Sequence, residues 1–412
     1  MKKKIFIVVT IIILVFYYNS IFNYSFADDE NDEEIDDLES IIASSNNVDE
    51  NLNLNSRIAV AYDRESGRVI WGKDENKKTA MASTTKIMTA IVVIENCNLN
   101  DTVEISKKAA ETGGSRLKLN KEDKITVKDL LYGLMLRSGN DAAVALAEYT
   151  AGSIENFAEL MNNKAKELEL KNTHFVTPHG LDNPEHYTTA YELAKLTDYA
   201  LSNKVFSNIV GTKNYTIRIN GYPREICNTN ELLGNFPGVY GVKTGFTNNA
   251  GRCLVTAVKN DKLDIITVVI QADTKKDRTS DSINLIKYIF NNYEKVNVEE
   301  LLIDEFDNWK NINISRINIK KAKNRNIHIK RDDIDNKFIV VKKSDINNIK
   351  IMINAIFDYE APVYKDTKLG EIKIFLNSDL LESIDIFFDN EIRRKDFIDY
   401  IKECIKEITN IL

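Results

Sequence analysis

The sequence predicts an α/β (α+β) domain built on a central antiparallel sheet, followed by a small C-terminal all-β domain and a terminal amphipathic helix. Three patterns carry this prediction. Apolar runs of helical length follow Ser83 and flank Ser138, β-branched runs broken by polar turns follow Gly238, and successive short strands take over from about Val296. A chain of 412 residues has room for two domains.

Residues 1–27 read as a secretory signal: Lys2-Lys3-Lys4, the apolar run 5–18, then Ser25-Phe26-Ala27 before Asp28, an A-x-A-like cleavage site. The run is short for a membrane span, and an uncleaved anchor is the alternative. Residues 28–54 form an acidic leader predicted to be disordered; residues 28–50 hold eleven Asp and Glu and no Lys or Arg. The formal net charge of −7 therefore belongs to the leader, and the rest of the exported chain is close to neutral. That balance argues against nucleic acid as a partner.

Residues 55–295 form the main domain, whose first chemical string is Ser83-Thr84-Thr85-Lys86. Met81 and Ala82 lead into the serine and residues 87–95 are strongly apolar, so Ser83 stands at or near a helix start. The helix dipole and unsatisfied N–H groups there favour a developing oxyanion. Lys86, three residues on, shares the face of Ser83 and can take its proton if burial or a neighbouring cation lowers its pKa. Without that context the same residues are a cap serine and a surface lysine. S-x-x-K arises by chance roughly once or twice in a chain of this length. Ser115-Arg116-Leu117-Lys118 is such a match; after Gly113-Gly114, Ser115 reads as a turn residue.

The second string is Ser138-Gly139-Asn140. Residues 127–136 read as one helix and 142–147 begin another, which leaves Arg137-Ser138-Gly139-Asn140-Asp141 as the turn between them. A hydroxyl there can relay a proton, and an amide can bond a substrate carbonyl or the lysine. The plain alternative is a C-cap glycine followed by a capping Asn or Asp. The third string, Lys243-Thr244-Gly245, lies in the run 238–247, which with 252–258 and 263–270 reads as antiparallel strands joined at 248–251 and 259–262. Lys243 and Thr244 suit a carboxylate, and Gly245 lets a substrate backbone approach; a surface strand lysine is the bland reading.

Together and in this order the three strings resemble those of the penicillin-interacting serine enzymes, and more narrowly the D-alanyl-D-alanine carboxypeptidases of the low-molecular-mass penicillin-binding protein type. Residues 59–71 resemble the opening hairpin of that family, and 173–182 with 186–190 its middle segment. The resemblance covers most of residues 55–295 and implies a β-lactamase/transpeptidase-like fold. It implies that Ser83 forms an acyl-enzyme, Lys86 accepts its proton and Ser138 passes a proton toward the leaving amine. Asn140 would orient Lys86 and the substrate, while Lys243 and Thr244, beside Gly245, would hold the terminal carboxylate. The oxyanion hole would come from the N–H groups of Ser83 and Phe246. Arg278, within 277–282, resembles an arginine the family uses near that carboxylate. The implied substrate is a peptidoglycan stem peptide ending in D-Ala-D-Ala, which loses its last residue; β-lactams would trap the acyl-enzyme.

Other readings stay open. A β-lactamase needs a carboxylate to activate water, and no Glu-x-x-x-Asn element lies between Ser138 and Lys243; Glu185 and Glu192 are candidates by location only. A DD-endopeptidase or transpeptidase would use the same acyl-enzyme. A catalytically silent wall-binding scaffold has no need of Ser83, Lys86, Ser138 and Lys243 together. No cofactor or metal is implied: His174, His179 and His186 lack zinc-site spacing and read as hydrogen-bonding residues of a loop near the site, and His328 as a surface residue. Cys97, Cys227, Cys253 and Cys404 lack pair spacing, with Cys253 in the core.

Residues 296–390 read as the β domain, with strands at 327–329, 338–341, 349–353, 371–375 and 384–388. Family members carry such a domain behind the catalytic one. In residues 391–412, Phe397, Ile398, Tyr400, Ile401, Cys404, Ile405, Ile408, Ile411 and Leu412 fall within an arc of about 160° on a helical wheel. This amphipathic helix is expected to lie on the membrane surface, as in relatives, with packing onto the β domain as the alternative. The expected location is peripheral, on the outer face of the cytoplasmic membrane.

Overall fold

The computed structural model describes residues 38–44 and 52–409, so the expected signal and most of the acidic leader lie outside the described residues. The chain divides between Asn291 and Asn292 into two units, each with its own hydrophobic core.

In the first unit a short helix, α1 (Leu38–Ser44), precedes the hairpin β1 (Ile58–Asp63) and β2 (Arg68–Lys73). Every residue of β1 is buried, as an apolar run must be when both faces of its sheet are covered. Two further hairpins, β3 (Thr102–Glu104) with β4 (Lys124–Thr126) and β5 (Asn214–Ile219) with β6 (Tyr222–Cys227), stand apart from the main sheet. The long strands β7 (Val239–Thr247), β8 (Gly251–Lys259) and β9 (Asp264–Ala272) complete that sheet in the order β2-β1-β9-β8-β7, antiparallel throughout. β7 is thereby an edge strand, and Lys243, Thr244, Gly245 and Phe246, four of the residues predicted to bind substrate, lie along it.

Helix α2 (Lys86–Asn96) is buried from Lys86 to Val93, which its lack of a polar face requires. Around it stand α3 (Lys107–Ala110), α4 (Val127–Leu136), α5 (Asn140–Ala151), α6 (Ile154–Glu167), α7 (Ala190–Ser202) and α8 (Lys204–Val210). Side-chain oxygens of Thr126, Ser153 and Thr189 cap α4, α6 and α7 by accepting from N–H groups three residues on. Gly152, at φ +78°, ends α5. Helix α9 (Lys275–Asn292) follows β9 and carries Arg278.

The second unit is a β domain: β12 (Ile329–Arg331), β14 (Ile349–Ala355), β16 (Lys368–Leu376) and β17 (Asp379–Phe388) form a sheet in the order β12-β17-β16-β14, beside the pairs β10 (Tyr293–Asn297) with β13 (Phe338–Lys342) and β11 (Asn318–Lys320) with β15 (Asp358–Glu360). Alternate residues such as Ile372 and Ile374 on β16, and Ile384 and Ile386 on β17, supply its core. Helix α10 (Val298–Asn313), which has no counterpart in the sequence reading, adds Val298, Leu302 and Phe306 to the same core. The chain ends in α11 (Phe397–Thr409).

Candidate active site

Ser83 sits in a single 3-10 turn, Ala82–Thr85, that runs straight into α2. The turn is tight: Ala82 adopts φ +47°, a region that residues with a Cβ seldom enter. Thr84 Oγ1 donates to Met81 O and Thr85 Oγ1 to Ala82 O, at 2.5 and 2.8 Å, so the two threonines satisfy the carbonyls of the turn they belong to. Lys86 then points back along its helix, and its Nζ lies 2.7 Å from Ser83 Oγ.

Lys86 is fully buried. Its Nζ also bonds Asn140 Oδ1 at 2.7 Å and the His179 carbonyl at 3.0 Å. Burial costs an ammonium its hydration, and these three oxygens replace the lost water. Asn140 is oriented in turn: its Nδ2 donates to Gly113 O at 2.7 Å and its backbone N to Ser115 O at 2.8 Å. The segment of the second S-x-x-K match thus lies in irregular backbone, and its main chain holds Asn140 beside Lys86. Asp141 fastens the same segment, accepting from the N–H groups of Leu117 and Leu119. Burial pushes its carboxyl above the ordinary range, against those hydrogen bonds and the charge of Arg116.

Ser138, between α4 and α5, is buried at φ +58°. A serine held in the left-handed region costs about 1–3 kcal/mol and persists only where the surrounding structure over-determines it. Its Oγ has no hydrogen-bond partner among the described residues, an uncommon state for a buried hydroxyl. The geometry leaves that oxygen available for a substrate group.

Lys243 and Thr244 are buried on β7, with Lys243 Nζ 3.0 Å from Thr244 O and Thr244 Oγ1 2.8 Å from Thr229 Oγ1. Gly245 has a packing role in addition to the expected one. A Cβ there would stand 3.1 Å from Ser83 N and 3.2 Å from Ala82 Cβ, so the bare glycine lets the edge strand lie against the serine turn. Phe246 follows on the same strand, its ring covered by the Arg252 guanidinium at 4.0 Å. Arg278 bonds none of the other predicted residues. It forms a buried ion pair with Glu231, which Thr279 Oγ1 also reaches. Glu231 stands two residues beyond Thr229 and so links Arg278 to Thr244 through one short segment. Arg278 Nε, Glu231 Oε2 and Asn230 Nδ2 are unpartnered among the described residues.

Residues 172–188 complete the wall. His186 Nδ1 accepts from Val176 N at 2.9 Å, so its Nε2 carries the proton and donates to Thr85 Oγ1 at 2.8 Å. Burial holds both His179 and His186 down to about 3, reinforced for His179 by the charges of Lys86 and His186 and for His186 by that of His174. The histidines are therefore neutral, and no group of three or more His, Cys, Asp or Glu among the described residues could hold a metal. Glu192 is committed to the loop, accepting from Asn172 N and Thr173 Oγ1. Gly180, at φ +87°, passes so close to the serine turn that a Cβ would fall 1.9 Å from Ala82 O. Thr229, Glu231 and the carbonyl of Gly113 line this space, and the sequence reading singled out none of them; His179 and Gly180 lie within the 173–182 segment it did quote, without the roles that the His179 carbonyl and the bare Gly180 take here. Main-chain acceptors leave no residue-type signal, and a Glu several residues before a strand has none either.

Comparison with known proteins gives the family. Residues 44–274 match the family described as D-alanyl-D-alanine carboxypeptidase, and residues 310–394 match the C-terminal domain of penicillin-binding protein 5. The chain is similar to D-alanyl-D-alanine carboxypeptidase DacF of Bacillus subtilis (strain 168): 32% identical over 360 residues, covering 86% of this chain and 90% of the relative. The chain belongs to the D-alanyl-D-alanine carboxypeptidase family. It is a serine hydrolase of the low-molecular-mass penicillin-binding type. Among solved structures it is similar to the D-alanyl-D-alanine carboxypeptidase DacD of Francisella tularensis, with a TM-score of 0.69 at 27% identity, covering 84% of this chain and 95% of that one. A point mutant of the Streptomyces K15 DD-transpeptidase aligns with a TM-score of 0.55 at 35% identity over 57% of this chain and 98% of that one. The two family matches fall one in each unit, and the K15 alignment covers a stretch shorter than the first unit.

Proposed function

We propose that Ser83 is the nucleophile with which this carboxypeptidase removes the last D-alanine from a peptidoglycan stem peptide, and that Lys86 is its base. The carrying observation is the 2.7 Å contact of a buried Lys86 Nζ with Ser83 Oγ, shared with Asn140 Oδ1 at the same distance. In its neutral form the amine takes the serine proton as Oγ attacks the penultimate carbonyl. The N–H groups of Ser83 and Phe246 receive the oxyanion, and the closeness of Gly245 to Ser83 N supports that pairing. As the C–N bond breaks, the unpartnered Ser138 hydroxyl passes a proton to the departing amine. Water then cleaves the ester. Lys243, Thr244 and Arg278 take the terminal carboxylate; a β-lactam presents a similar carboxylate and a strained amide, and leaves its opened ring on Ser83.

This substrate implies an enzyme that works outside the cytoplasm. Phe397, Ile398, Tyr400, Ile401 and Ile405 are exposed on α11, which supports attachment of that helix to the membrane surface. Among the described residues no helix is long and apolar enough to cross a membrane.

Fluorescent penicillin is the direct test. The parent protein is expected to take the label and Ser83→Ala to lose it; labelling of Ser83→Ala equal to the parent would sink the assignment, and an unlabelled parent would favour a silent scaffold. Lys243→Ala should acylate at least about 30-fold more slowly, the lower end for truncating one partner of a buried charge pair, with its thermal unfolding preserved. An unchanged acylation rate would contradict its role. Mass spectrometry of a pentapeptide ending in D-Ala-D-Ala separates the reactions: loss of one alanine marks hydrolysis, and an adduct with an added amine marks transpeptidation.

A further inference from the structure

Arg137, next to Ser138 along the chain, and Arg116, next to the Ser115 whose carbonyl accepts from Asn140 N, line a cleft of about 330 Å³ together with Lys118, Arg224, Glu225 and Cys227. Among the described residues the lining brings the side chains of Arg116, Arg137 and Arg224 together with one carboxylate, Glu225. Both walls are fastened to the candidate active site. Arg137 directly precedes Ser138, and the Arg116–Lys118 wall hangs on Asn140 and Asp141 through Ser115 O, Leu117 N and Leu119 N. The opposite wall, on β6, runs into Thr229, whose N donates to Leu136 O at 3.0 Å and whose hydroxyl meets Thr244. Arg224 spans the cleft floor, its Nη1 donating to Leu117 O.

We propose that this cleft is a carboxylate-binding subsite for the peptide on the N-terminal side of the scissile bond, an inference that rests on the carboxypeptidase reading. Guanidinium groups match a carboxylate in geometry as well as charge, and Arg116 and Arg137 are exposed and carry no ion pair within the described residues. At about 330 Å³ the cleft falls at the small end of the range for ligand sites, room enough for a side chain. The enzyme would therefore select stem peptides that keep a free acidic group upstream of D-Ala-D-Ala over those in which it is amidated.

Two synthetic pentapeptides ending in D-Ala-D-Ala test this with the full chain, one carrying an acidic side chain upstream and the other its carboxamide. Alanine release should favour the acid by about tenfold or more in kcat/KM, the value of one charge-assisted hydrogen bond, mainly through KM. In Arg116→Gln/Arg137→Gln, checked for an unchanged unfolding transition, that ratio should collapse toward one. Equal kcat/KM for the two peptides in the parent would overturn the subsite, as would a preference that survives the double substitution. Release of no alanine from either peptide would overturn the carboxypeptidase reading itself and the subsite with it.

Discussion

Arg278 and Glu231 form the one ion pair near the site, among the described residues, in which both partners are largely shielded, with side-chain exposures of 4% and 14%. Removing one member of such a pair strands the other, which costs about 3–5 kcal/mol. Glu231→Ala is accordingly expected to lower the unfolding free energy at neutral pH by about 3 kcal/mol or more, measured by thermal or urea unfolding. Burial opposes the charge on Glu231, but Arg278 and Thr279 outweigh it and hold the carboxyl below its ordinary range. A carboxyl depressed in the folded state contributes fully above its unfolded pKa of about 4.5 and loses that contribution as the pH falls further. The gap between parent and variant should therefore close on acidification below that point. A gap independent of pH would mean that the pair contributes nothing through charge.

The segment from Asn172 to Thr189 shows how an element without regular secondary structure is made rigid. His186 ties its own loop to Thr85 on one ring nitrogen and to Val176 on the other, and Thr188 joins Thr79 through paired backbone hydrogen bonds. Both buried imidazoles are held near 3, burial being the main cause. Between the unfolded value near 6.5 and that folded value, the unfolded chain binds more protons, so stability falls as the pH drops through the window. The parent's unfolding temperature should decline between about pH 6.5 and pH 4. His186→Gln, less stable at neutral pH, should decline less over the same interval. Equal slopes would contradict a buried neutral imidazole.

At the scale of the whole molecule, the carboxypeptidase couples a catalytic unit to a β domain that ends in α11. The polar side of that helix and the residues before it are engaged within the second unit, through Lys323 with Asp399 at 3.0 Å and Lys395 with Glu403 at 2.5 Å. Among the described residues its apolar side is exposed: Phe397 is 77% exposed and Ile405 56%. Among the described residues, packing onto the β domain does not cover that side. The full chain should co-sediment with lipid vesicles, and Ile401→Asp/Ile405→Asp should weaken that partition at least tenfold, given about 1.5–3 kcal/mol per buried isoleucine. A parent protein that stays in solution would argue against surface attachment.

Much of this was legible in the chain. The antiparallel strands after Gly238 and the helix after Ser83 follow from local periodicity, because β-branched alternation and a continuous apolar run each admit few packings. Ser83 and Lys86 are three residues apart, so helical spacing alone joins them. The rest depends on contacts between segments far apart in sequence. Asn140 meets Lys86 across 54 residues and the His179 carbonyl meets it across 93. That the 113–119 backbone holds Asn140, why Gly245 lies so close to the serine turn, and that Arg278 faces Glu231 follow only from the packing of distant segments. The sequence by itself determined which chemical groups were present and on what kind of element. Tertiary structure decided which of them share a buried space, since a hydrogen bond depends on distance and orientation that residue order does not encode.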